Sequence, residues 1–174
     1  ITFNRVNDAP TLVQADGTTA LVAIDVNEGS SVAVTLANID ALDEAGETPA
    51  ADLIFSVSDV SGGSFIDIAG NITGVAGQAL TAADTFTRAN IQNGDLLFEN
   101  DLNSNDPPTY RLTVTDVDAL GAESTFLDFT GTLTATNDVP QQVNLAAIAL
   151  TEGQPFTIDG TVLRFVDEES TSDN

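Results

Sequence analysis

The sequence predicts an all-β protein built as an antiparallel β-sandwich, and three observations carry that prediction. Apolar residues recur at every second position over runs of five to eight residues. Clusters of Gly, Asn, Asp and Pro separate those runs. Apolar residues form 42% of the 174-residue chain, enough for a core, yet no apolar run approaches the length that spans a membrane. About seven or more short strands punctuated in this way are the pattern of a sandwich.

Taken in order, "SVAVTL" (Ser31 to Leu36) sets Val32, Val34 and Leu36 on one face, and "LIFSVSD" does the same with Leu53, Phe55 and Val57. "SFIDIAGNITGVAG" reads as two short strands around an Ala69-Gly70-Asn71 turn, and "GGSFID" before it as a hairpin turn. "TRANIQNGD" differs: Thr87 suits a helix N-cap and Gly94 a helix stop, with room between them for a single helical turn. "YRLTVTD" aligns Tyr110, Leu112 and Val114. "STFLDFTGTLTAT" reads as one long strand with a kink available at Gly131.

The chain also repeats itself. "VNDAP" (Val6 to Pro10) returns 130 residues later as "TNDVP" (Thr136 to Pro140). Glu28-Gly29 matches Glu152-Gly153 at an offset of 124, and Asp43-Glu44 matches Asp167-Glu168 at the same offset. One six-residue insertion within "QADGTTALVAID" reconciles the two spacings. The expected organisation is an upstream linker over residues 1–10, a module over 11–136, a linker over 137–140 and the opening of a second module over 141–174. Ile1 to Pro10 has neither the basic start nor the apolar stretch of a signal peptide, so the chain reads as a piece of something larger.

Charge bounds the function. Asp and Glu number 27 against four Arg and no Lys, a net charge of −23. Such a surface repels nucleic acid and anionic lipid and attracts cations. Nineteen Asp and 13 Asn supply short oxygen-bearing side chains, the donor type of a hard cation such as Ca2+. The chain lacks Cys and His, so disulfide frameworks, thiol nucleophiles, imidazole bases and the usual zinc and copper sites are excluded. Carboxylate pairs able to hydrolyse glycosides occur on any acidic surface, so they give no specific sign of an enzyme. Two calcium-loop patterns fail. "DLNSNDPPTYRL" has Asp106 where an EF-hand needs Gly and Leu112 where it needs Glu, and "GGSFID" has Phe65 where a β-roll repeat needs its third Gly.

The stretch "FTRANIQNGDLLFENDLNSNDPPTYRLTVTDVDALG" (Phe86 to Gly121), the Glu-Gly after the first strand and the Asn-Asp-x-Pro linker resemble cadherin-like tandem repeats, in particular the chondroitin-sulfate-proteoglycan-type repeats of large bacterial surface adhesins. The resemblance implies a Greek-key, cadherin- or immunoglobulin-like sandwich, joined end to end with neighbouring repeats of the same chain outside the cell. It also implies calcium at the joints. Carried over position by position, it points to Glu28 and Glu152 in the first loop of each module, Asp116 with its neighbour Asp118, and the linker pair Asn137 and Asp138, with Asn7 and Asp8 upstream. The acidic loop would add Asp167 or Glu168, matched by Asp43 or Glu44. The linker is shorter than that of animal cadherins. Asp40 and Asp43 stand one residue too far apart for the usual Asp-x-Asp. The function implied is a calcium-stiffened spacer of an adhesin. The alternative is a module that binds polysaccharide or another cell's surface, with calcium coordinating sugar hydroxyls.

Overall fold

The computed structural model describes residues 7–44, 48–102, 104–117, 124–137, 139–145 and 147–166. It divides between Thr134 and Ala135 into two units.

The first unit is an antiparallel β-sandwich. One four-stranded sheet runs in the order β2 (Ser31–Ala33), β7 (Leu96–Glu99), β4 (Ser64–Asp67), β5 (Gln78–Ala79). The other runs β6 (Phe86–Thr87), β3 (Ile54–Ser61), β8 (Thr109–Thr115), β9 (Ser124–Thr130). A short parallel pair, β1 (Val26–Asn27) with β10 (Leu133–Thr134), joins the start of the unit to its end. The chain crosses repeatedly between sheets, so most strands find partners distant in sequence.

Alternation sets what lies inside. Leu53, Phe55 and Val57 are buried, as are Tyr110, Leu112 and Val114, whereas Ser56, Ser58 and Arg111 between them are more open. From the facing sheet come Phe65, Leu96 and Phe98. Phe65 and Tyr110 meet across the interior edge to face, 5.1 Å between ring centroids. Each is also matched within its own sheet: Phe65 with Phe98 at 5.3 Å, Tyr110 with Phe129 at 5.1 Å. Burial pushes the Tyr110 hydroxyl up to about 12.

α1 (Arg88–Asn93) lies between β6 and β7 as the cap signals require. The Asn90 side-chain oxygen accepts from the Thr87 backbone N–H at 2.9 Å, and Gly94 takes the left-handed conformation that ends the helix. Ile91 fixes the turn to the core.

Three segments depart from the sequence reading. "GGSFID" is no hairpin: Gly62-Gly63 carries the chain from β3 in one sheet to β4 in the other. At Gly63 a Cβ would sit 2.3 Å from the Glu99 carbonyl oxygen, so no side chain fits. The long strand beginning at Ser124 breaks at Gly131, where a Cβ would meet the Ile24 carbonyl oxygen at 1.7 Å. The segment after β4 forms no strand around Asn71; its partner strand comes later, at Gln78–Ala79.

The reason for that third departure is Asp67. Its fully buried carboxylate accepts backbone N–H bonds from Gly70, Ile72 and Thr73 at 2.8 Å each, and the Thr73 hydroxyl at 3.1 Å. The loop winds round the carboxylate instead of pairing as a ladder. Burial pushes this carboxyl up, but the N–H donors of Thr73, Ile72 and Gly70 outweigh burial and hold it below the ordinary 3.8.

The second unit pairs β11 (Gln141–Leu145) with β12 (Leu163–Val166) antiparallel, with a bulge between Gln142 and Asn144. Between them lie a turn at residues 151–154 and another opened by Asp159, whose carboxylate accepts from the Thr161 N–H and hydroxyl.

Phe65→Ala removes the side chain that joins both sheets and should cost about 3–5 kcal/mol, read as a lower urea midpoint for the first unit. Asp67 has a folded pKa below its unfolded value, so its contribution is full above the unfolded pKa and is lost as pH falls through the folded one. Asp67→Asn should therefore destabilise at neutral pH by about 2 kcal/mol. It should also flatten the fall in stability below about pH 3.8, the ordinary carboxyl value, measured by urea titration at several pH values.

Candidate functional site

Those of the acidic residues singled out by sequence that lie in the described part of the first unit fall at its two opposite ends. Ile54 at the start of β3 pairs with Thr87 on one side and Thr115 on the other, so the next residues, Arg88 and Asp116, emerge at the same end of their sheet. Asp116 is fully buried, and the Asn7 side-chain amide donates to one of its carboxylate oxygens at 2.7 Å. Asn7, in the segment the sequence reads as an upstream linker, is thereby tied to the end of β8.

Asp40 is also fully buried at its carboxylate. It accepts from the Arg88 guanidinium at 3.0 Å and from the Ala41 N–H at 3.0 Å. The sequence signalled Asp40 only as half of an ill-spaced Asp-x-Asp; its partnership with Arg88, 48 residues away, had no local sign.

Asp43 closes its own loop, accepting from the Glu44 N–H at 2.9 Å and the Thr48 N–H at 3.1 Å. Asp43 and Glu44 line an open recess with Ala9, Thr11, Gly17 and Leu42, and Thr11 and Leu42 are joined there by an antiparallel bridge. The short segment from Asn7 to Thr11 thus touches both Asp116 and the recess of Asp43.

Glu28 lies elsewhere. Its N–H donates to the Thr134 carbonyl at 3.0 Å, beside β10. The next residue, Gly29, donates to the Asn100 side-chain oxygen, and the Asn100 amide donates to the Gly62 carbonyl. Gly62 abuts Asp106 and Pro107, just ahead of β8. The length of β8 therefore separates Glu28 from Asp116, about 24 Å at the rise of an extended strand. An ion whose ligands lie at about 2.3–2.6 Å cannot hold both.

Asn137 and Glu152 are exposed residues of the second unit, and Glu152 sits in the turn at 151–154. Asp118, Asp138, Asp167 and Glu168 lie outside the described residues. Among the described residues no group of three or more acidic side chains is assembled around a common point. Nor, among them, is any helix long and apolar enough to cross a membrane.

On the outer face of β8 and β9, Arg111 makes a forked pair with Asp128, at 2.7 and 3.1 Å, and lies 4.5 Å over the Phe126 ring. The carboxylate of Asp128 is held low by that hydrogen bond, and the same bond raises Arg111. This aromatic faces outward, but the guanidinium already lies over its ring.

The chain matches no protein-family model and no curated protein.

Removing the guanidinium in Arg88→Ala leaves the Asp40 carboxylate buried beside one N–H donor. The expected loss is about 3 kcal/mol of stability at neutral pH, with a smaller loss in the double variant Arg88→Ala, Asp40→Ala, read by denaturant unfolding.

Proposed function

We propose that this chain is a structural spacer of a tandem-repeat surface protein, stiffened where its linkers meet its modules by calcium. The observation that carries this reading is the bond from Asn7 in the linker to the buried carboxylate of Asp116. It ties residue 7 to the acidic end of a module in a chain whose net charge is −23. A linker held at that end has little freedom left to lose, and an ion that gathered further oxygens there would remove more.

Asp116, Asn7 and Asp8 offer the hard oxygen donors that calcium takes. Asn7 would turn its amide oxygen rather than its nitrogen toward the ion. Asp43 already holds two backbone N–H groups and is the weaker ligand. Glu28, at the other end of the unit, would serve a separate ion. The proposed setting is extracellular, with neighbouring repeats of the same chain as partners and no catalytic step. Binding of surface glycans has less behind it in the first unit, because its aromatic side chains lie mostly inside and the ring of Phe126 is partly covered by Arg111.

Calorimetric titration with calcium should show binding at roughly 10⁻⁴–10⁻³ M. Melting temperature should rise with calcium and fall back with EDTA, by about 3 kcal/mol of added stability at a hundredfold excess over Kd. Asp116→Asn should weaken binding at least about tenfold. Absence of binding heat, together with melting curves unmoved by EDTA, would sink the reading.

A further inference from the structure

Of the second unit's eleven described large apolar side chains eight are exposed and Val162, Leu163 and Val166 are half-buried, and these residues are not randomly placed. At the offset of 124, Ile148 corresponds to Ile24, Leu150 to Val26, Ile158 to Val34 and Leu163 to Ile39. All four counterparts are interior residues of the first unit. Leu150 is 74% exposed where Val26 is 5%, and Ile158 is 61% exposed where Val34 is 2%.

The backbone repeats as well. In the first unit Ser30 N–H donates to Asn27, and in the second Gln154 N–H donates to Thr151, each at 3.1 Å. Gly29 and Gly153 both take positive φ, 61° and 78°. Asn38 and Ile39 both donate to the Thr35 carbonyl; Val162 and Leu163 both donate to that of Asp159. The antiparallel pair Thr11 with Leu42 recurs as Gln141 with Val166. Two turns and one pairing coincide residue for residue, once the insertion after Val13 is allowed for.

We infer that residues 141–166 are folded as the opening third of a second sandwich, and that their exposed apolar face is half of an interior. Its complement is a set of strands with the apolar pattern of β3, β7 and β8. A piece this short cannot bury such a face by itself. Two differences in the second unit bear on that complement: Arg164 stands where the first unit has Asp40, and Phe165 where it has Ala41. Asp40 is paired with Arg88, so an unaltered copy of the first unit's later strands would set Arg88 against Arg164.

This inference rests on the repeat within the proposed function and not on its calcium. The test extends the full chain after Asn174 with a copy of residues 51–134, which keeps the offset. A second version adds Arg164→Asp and Phe165→Ala, restoring the first unit's residues. Hydrogen exchange is followed with and without calcium. In the second version at least, exchange over 148–158 should slow by about a hundredfold, and Ile158→Asp should abolish that protection. In the unextended chain Ile158→Asp should leave unfolding of the first unit unchanged. Exchange unaltered by either extension would overturn the inference. So would concentration-dependent self-association of the unextended chain that protects 148–158, since a second copy would then be the occupant. Protection that appears without any calcium effect would defeat the calcium reading and leave this one standing.

Discussion

The structure depends on one contact above others, the edge-to-face meeting of Phe65 and Tyr110 across the sandwich. Each ring is the inward member of an alternating strand, and each is held by a cross-strand aromatic neighbour in its own sheet. A register slip of one residue in either strand would turn its ring to solvent and a polar neighbour inward. The same contact therefore fixes strand register, sheet separation and the positions of the loops at both ends. With no disulfide to close the chain, this packing and the backbone ladders must hold the first unit together.

A protein with so much acid must place its few buried carboxylates with care. Four are buried among the described residues; Asp95 accepts from the Asn90 side-chain amide, and the other three each fix a segment of chain. Asp67 gathers backbone donors and shapes a loop. Asp40 takes one of only four arginines. Asp116 receives the amide of a linker residue. Uncompensated burial of any of the three would cost several kcal/mol, so each fixes the segment that supplies its partner. The segment beginning at Asn7 is positioned by the last of these, which is why that end of the first unit is the proposed place of calcium. Most of the remaining acid among the described residues is exposed, where solvent and counterions screen it.

The two units show what the same kind of strand sequence does with and without its complement. In the first unit Val26 and Val34 lie under facing strands; in the second, Leu150 and Ile158 hold comparable turns but face solvent. Local turn chemistry, a Glu-Gly with left-handed glycine or a carbonyl accepting two N–H groups, needs no distant partner. Burial does.

The sequence by itself determined the class of fold and most inward faces, because period-two alternation is a local property and the sandwich interior simply reads it out. It also determined the single helical turn between Thr87 and Gly94, since cap residues act within a few positions of one another. What it listed as a metal site was a set of acidic residues without a map. Only the tertiary structure decided that Glu28 and Asp116 stand a strand's length apart, that Asp40 belongs to Arg88, and that Gly63 and Gly131 are glycines because another chain segment passes too close for a Cβ. Those outcomes turn on which residues distant in the chain are brought together across the sandwich. That is set by closure of the whole core, and no window of neighbouring residues contains it.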